Sequence, residues 1–188
     1  MTVESTVELR RYADQVPQPW LGRPGVTREL ARRDGADGGF VWRVSLADVG
    51  SDSDFSVLPG IDRVLMMCEG AGITLTGDGR HHELRLWDML AFDGGIEVSC
   101  RLIDGPTRDL NVMTRRSECT VSVARYTVGS ATLVCGAGQE QVIVLIDGQA
   151  AVEELGPLST YDTVVLTGPA QVRIQGRAGI LVATFHRR

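Results

Sequence analysis

VLMMCEG at residues 64–70 and VIVLIDG at 142–148 share one plan: a run of apolar residues, an acidic residue, then glycine. They lie 78 positions apart. A second pair follows in the same order, WDMLAFDGGIEV at 87–98 and YDTVVLTGPAQV at 161–172, 74 positions apart. Both halves run apolar strand, acid–Gly turn, short hairpin, aromatic–Asp, apolar strand, Gly turn, strand. The hairpin is four residues shorter in the second copy. Two segments in the same order at nearly the same offset indicate a duplicated unit. Glycine after the acid supplies the positive φ that reverses the chain. Asp88 and Asp162 stand where the chain re-enters the sheet, and a short acceptor there can tie off turn N–H groups. Glu69, Asp88, Asp147 and Asp162 are therefore read as structural.

The rest of the chain fits that unit. Apolar or alternating runs bounded by Gly, Asp and Pro predict strands at Phe40–Ala47, Ile61–Cys68, Ile96–Ile103, Asp109–Arg115, Cys119–Tyr126, Val142–Ile146, Val164–Leu166 and Ile180–Phe185. No segment carries a long helical stripe. The expected fold is all-β: a bicupin of two cupin-like, jelly-roll half-barrels packed together. Residues 1–116 form the first half and 117–188 the second.

Composition narrows the function. The 188 residues carry a formal charge of −5, and no basic run exceeds two residues, so no nucleic-acid partner is expected. No apolar run is long enough to span a bilayer. The opening residues hold two glutamates and no apolar block, which points to the cytoplasm. All 19 basic residues are arginine, so Schiff-base chemistry on lysine is excluded. Cys68, Cys100, Cys119 and Cys135 are widely spaced with no CxxC, as buried free thiols are.

Particular blocks resemble the HutD/Ves family. They are Trp20 and Gly22 with VTRE (26–29), FVWRVSLA (40–47), FSVLPGIDR (55–63), Glu69-Gly70, FDG (92–94) and RDLNVMTRR (108–116). They run in order from about residue 15 to 116, whereas the second half is similar only in general form. The resemblance implies a bicupin fold, a role as regulator of bacterial histidine utilisation rather than pathway enzyme, and a small carboxylate from that pathway as ligand.

Strand alternation marks a candidate pocket in the first half. Val41, Arg43, Ser45 and Ala47 share one face of their strand. Asp109, Asn111, Met113 and Arg115 share one face of theirs, and Arg63 aligns with Leu65 and Met67. If these faces point inward, they form an apolar-walled cavity with a few placed polar groups. Arg63 is the first choice for gripping a carboxylate with two parallel hydrogen bonds. Arg43 adds a second cation, Asn111 can donate and accept, and Thr27, Ser45 and Asp109 complete the ligand-binding set. Either Thr27 with Glu29 or Arg28 points inward. The structural alternative stays open: Arg63 locked to Asp62, Glu69 or Asp109, and Arg43 on a solvated face.

No catalytic residue or metal ligand is assigned, and no cofactor is expected. His81 and His82 are adjacent at a hairpin tip and His186 is near the C-terminus, so they gather neither a metal nor a Ser-His-Asp triad. The leading reading is a non-catalytic binder of a small anionic metabolite, a regulator linked to histidine utilisation. The alternative is a metal-independent cupin enzyme, an isomerase or lyase acting on a small acid through groups such as Asp62, Asp109 and Tyr126. A third is a dimerisation module, with a homodimer contact on the second half.

Overall fold

The computed structural model describes residues 5–22 and 24–188. Among the described residues there are sixteen strands, one 3-10 turn at Tyr12–Asp14 and no α-helix, so no helix is long and apolar enough to cross a membrane. The first strands are β1 (Thr6–Arg10), β2 (Gln18–Pro19), β3 (Gly25–Asp34), β4 (Phe40–Val49) and β5 (Ser53–Asp54). Then come β6 (Ile61–Glu69), β7 (Ile73–Gly77), β8 (Arg80–Leu84), β9 (Met89–Asp93), β10 (Ser99–Leu102) and β11 (Thr107–Arg115). The chain ends with β12 (Cys119–Cys135), β13 (Gln139–Val152), β14 (Gly156–Leu158), β15 (Thr163–Thr167) and β16 (Ala170–Arg187). The architecture is the all-β cupin fold that the repeat predicts.

Two compact units divide the chain: residues 16–117, and residues 5–15 together with 118–188. The opening strand thus lies outside the half in which the sequence reading put it. β1 pairs antiparallel with β15, Leu9 opposite Val164. The buried Asp162 carboxylate pins the following residues, accepting from Tyr12 N at 2.8 Å and Arg11 Nη1 at 2.7 Å.

The first unit is two antiparallel sheets, ordered β2-β3-β4-β11-β6-β9 and β5-β10-β7-β8. Alternate residues of β6 meet those of the facing sheet, so Leu65 and Met67 form one core with Ile73, Leu75, Leu84, Val98 and Cys100. The strand expected over Ile96–Ile103 begins only at Ser99, because residues 94–98 turn beneath Pro59 and Phe55; Leu58 N donates to Gly94 O and Phe55 N to Val98 O.

The second unit is one sheet, β1-β15-β13-β16-β12, with β14 on β13. Its strands outrun the predicted ones, because glycines that read as strand ends are bends inside long strands. The β12–β16 pairing shifts register between Val128 and Ser130, and β13–β16 between Leu145 and Asp147. Gly148 and Gly176 sit at that bend with φ of 79° and 140°. A Cβ at Gly148 would collide with the Arg177 carbonyl, and one at Gly176 with the Gln149 carbonyl. The bent sheet encloses an apolar core that includes Ile143, Leu145, Val164, Leu166, Ile174, Ile180 and Val182.

The repeat is real at the level of hydrogen bonds. Trp87 and Tyr161 both take positive φ, 70° and 69°. Trp87 N donates to Met67 O and Met67 N to Asp88 O, while Tyr161 N donates to Leu145 O and Leu145 N to Asp162 O. Asp88 accepts from Arg85 N at 2.8 Å, and Asp162 from Ser159 N at 2.9 Å. Each aspartate ties off its own turn, as the sequence suggested.

Candidate functional site

The site grows from three neighbouring strands of the first unit. Strand β11 lies between β4 and β6, with Asp109 opposite Ala47 and Met67, Asn111 opposite Ser45 and Leu65, and Met113 opposite Arg43 and Arg63. Because side chains alternate, these rows face one way. All of these but Leu65 and Met67, which enter the core, line a cavity of about 400 Å³ together with Thr27 of β3 and residues 53–56 and 58. All six predicted site residues, Arg63, Arg43, Asn111, Thr27, Ser45 and Asp109, line it.

Arg63 is 5% exposed. Its Nε and Nη2 donate to Asn111 Oδ1 at 3.2 and 2.6 Å. Asn111 Nδ2 in turn donates to Asp109 Oδ1 at 2.6 Å. A neutral amide therefore separates the buried cation from the buried carboxyl. The guanidinium also lies over two aromatic rings, 4.7 Å from the Phe55 centroid and 5.1 Å from that of Phe92. Such contacts stabilise a desolvated cation by about 0.5–2 kcal/mol each. Gly94 makes room for the arginine stem, since a Cβ there would stand 3.2 Å from Arg63 Cδ.

This geometry decides the alternative set against Arg63. Asp62 pairs with Arg116 at 2.7 Å and Glu69 with Arg108 at 2.7 Å, so neither holds Arg63. Asp109 reaches it only through Asn111. The remaining N–H groups of Arg63 take no partner among the described residues. Burial lowers the Arg63 pKa to about 10, with the Asp109 charge pulling back up, so the group stays cationic at neutral pH. Burial raises Asp109 to about 7, against the pull of Arg63 and the Asn111 hydrogen bond.

The other predicted residues take lesser places. Arg43, a quarter exposed, stands 3.2 Å from Glu29 and carries its charge as half of an ion pair. Ser45 is buried beside Asn111. Thr27 Oγ1 accepts from Trp20 Nε1 at 2.8 Å, which brings the indole to the cavity, while Arg28 pairs with Asp48 at 3.1 Å. Phe55, Phe92 and Ser53 were missed as site residues. Alternation offered one signal, since Phe92 stands opposite Arg63 on β9. Ser53 Oγ is buried at the cavity without a hydrogen-bond partner among the described residues.

Little here resembles a nucleophile. Burial pushes the Cys68 and Cys100 thiols up to about 12, and at that value they stay protonated. His81 and His82 stand on β8 rather than at a hairpin tip, and neither lines this cavity. Tyr126 is half exposed on β12 and Asp62 is engaged by Arg116, so of the three groups named for an isomerase only Asp109 lines the cavity.

A family model described as HutD matches residues 12–182. The chain belongs to the HutD family. An uncharacterised 21.2 kDa protein in the hutC 3′ region of Pseudomonas putida is 31% identical over 92% of this chain and 95% of its own length. That relative links the family to the histidine-utilisation region. Protein Ves of Cronobacter sakazakii is 33% identical over 69% of this chain and 70% of its own. Among solved structures, HutD from Pseudomonas fluorescens, in a formate condition, superposes with a TM-score of 0.85 at 29% identity, covering 97% of this chain and all of that one.

Proposed function

We propose that this HutD-family chain is a non-catalytic binding protein, a regulator linked to histidine utilisation, that holds a small carboxylate metabolite in the cavity of its first unit. The observation that carries this reading is Arg63: a buried guanidinium, fixed in direction by Asn111, lying over Phe55 and Phe92, with N–H groups left open at a cavity wall. A buried cation without a direct carboxylate partner is costly. An anion arriving from solvent supplies the missing charge and accepts two parallel hydrogen bonds. Arg43, Thr27, Ser45 and the unpartnered Ser53 hydroxyl offer further contacts around a ligand of a few heavy atoms. The P. fluorescens relative, solved in a formate condition, is consistent with a small acid as occupant.

A thermal-shift and calorimetric screen against histidine, urocanate, formylglutamate, glutamate and formate tests this. One acid stabilises the unaltered chain saturably, by about 2.7 kcal/mol at a hundredfold excess over Kd. Arg63→Ala removes that stabilisation while remaining folded. Failure of every acid to bind a folded chain would overturn the reading.

Asp109 favours one competing reading, a metal-independent acid–base enzyme, because a buried carboxyl near neutrality is what a general base requires. Turnover of one of these acids by chelator-treated protein would put that reading first; saturable binding without product supports the binder.

A further inference from the structure

Asp109, the third residue of β11, is 1% exposed and lines the cavity. One carboxyl oxygen accepts from Asn111 Nδ2, and the other has no donor among the described residues. Most buried carboxylates are held ionised by a cation or by several N–H groups. Here the cation that acts on Asp109, Arg63, lies beyond Asn111, and that cation is the group left open to a ligand.

The neighbours of Asp109 are few. Charge reaches it from Arg63 of β6 and Asp48 of β4, Cys68 of β6 and Cys100 of β10 are close enough to feel its own charge, and Arg43 of β4 acts on Arg63. Glu29 of β3 is occupied by Arg43, and Asp48 by Arg28 and Arg108. Arg108, next to Asp109 in β11, is held by Asp48 and Glu69. Asp54 of β5 lines the same cavity, and no histidine does. The two thiols stay protonated. Among the described residues Arg43, the other cavity cation, is neutralised by Glu29, so Arg63 is the positive charge that favours ionised Asp109.

An acid that occupies Arg63 cancels that charge and brings a negative one beside it. Both changes drive Asp109 to hold a proton. Resting on the acid-binding reading, we propose that Asp109 determines what the cavity accepts: the site takes a small acid as its monoanion together with one proton, which Asp109 carries. Linkage makes this reciprocal, so the acid binds best where Asp109 is already protonated. The free site carries that proton below about pH 7 and loses it above, so affinity falls as pH rises through that value.

Calorimetric titration with sodium formate between about pH 6 and about pH 9 tests the proposal. Formate is a monoanion throughout, so its own titration does not intrude. Expected are a formate affinity that weakens up to about tenfold per pH unit above about pH 7, and uptake approaching one proton per formate at about pH 8. That uptake is read from the difference between buffers of unlike ionisation heat. Asp109→Asn flattens the pH profile and takes up no proton, with a formate affinity at about pH 8 no weaker than that of the unaltered chain at about pH 6. Formate binding without proton uptake in the unaltered chain, or a slope that survives in Asp109→Asn, overturns the proposal alone. Should Asp109→Asn not fold, the proton count on the unaltered chain decides by itself. Absence of formate binding at every pH overturns it together with the binding of formate in this cavity, while binding of another acid in the screen would leave the wider reading standing.

Discussion

Gln141 holds in the second unit the place that Arg63 holds in the first. The equivalence follows from the shared turn, where Met67 and Leu145 make the same pair of backbone hydrogen bonds to Trp87-Asp88 and Tyr161-Asp162. Counting back along the same face, Leu65 matches Ile143 and Arg63 matches Gln141. The flanking strands keep the register. Met113, Arg63 and Phe92 stand abreast in one unit, and Thr184, Gln141 and Leu166 in the other. Asn111 opposite Leu65 becomes Val182 opposite Ile143; Asp109 opposite Met67 becomes Ile180 opposite Leu145. So the row Arg63–Asn111–Asp109 is answered by Gln141, Val182 and Ile180, and Val182 and Ile180 belong to an apolar core. Gln141 is buried and donates to Thr184 at 3.1 Å, a short polar contact with no charge in it.

The two units share a frame but not the charged row. Two copies of one strand order fold, and one fills this row without a charge. The charged row is therefore dispensable to the architecture, and its cost in desolvation is met for another reason. The largest effect is expected from placing the charge where it has no row to join: Ile180→Asp in the second unit should lower stability by about 3–5 kcal/mol at neutral pH, since the new carboxylate lies among Leu145, Val164 and their neighbours without a cation. Urea denaturation measures it. A loss below about 1 kcal/mol would mean that this core tolerates charge, and the contrast between the units would lose its force.

The reverse exchange has a smaller effect of opposite sign. Arg63→Gln, Asp109→Ile and Asn111→Val together give the first unit the row of the second. The expected product is a folded chain, about 1–4 kcal/mol more stable at about pH 8, that binds no acid. The three side chains form one network, so the changes must be made together; single replacements leave a charge without its partners. An unfolded triple variant would show instead that the polar row holds the first unit together, and the binding reading would lose its main support.

How much of this was legible follows from where each signal lies in the chain. The repeat was visible because the turn makes the same demands twice: Trp87 and Tyr161 take positive φ, and Asp88 and Asp162 each accept from the N–H three residues back. The site face was visible because alternation is a local rule, and Asp109, Asn111 and Met113 obey it with Arg63 registered across from them. Pairing between distant segments leaves no local trace. Nothing in Thr6–Arg10 announces a partner at Thr163–Thr167, so the opening strand was read into the wrong neighbourhood. Strand length in the second unit was under-read for a related reason. Glycine is the commonest sign of a strand's end, yet Gly148 and Gly176 mark points where two strands cross closely and continue. The amide between Arg63 and Asp109 could not be foreseen from alternation either. That rule groups residues by face but does not say which side chains touch.

Phe92 offers the smallest and sharpest comparison, because its counterpart Leu166 differs from it only in lacking a ring. Both stand opposite the row residue, Arg63 or Gln141. A leucine suffices to pack against a glutamine, whereas the Phe92 ring presents its π-face to a buried guanidinium at 5.1 Å. Phe92→Leu should therefore leave the first unit folded and weaken acid binding modestly, by about 0.5–1 kcal/mol, or a few-fold in Kd, because Phe55 still covers the cation at 4.7 Å. The same exchange reversed, Leu166→Phe, adds a ring to a filled core and should destabilise by about 1–3 kcal/mol through overpacking alone. If Phe92→Leu left the Kd untouched, the rings would be filling space rather than orienting the cation. The direction of Arg63 would then rest on Asn111, with Asn111→Val alone enough to lose the ligand.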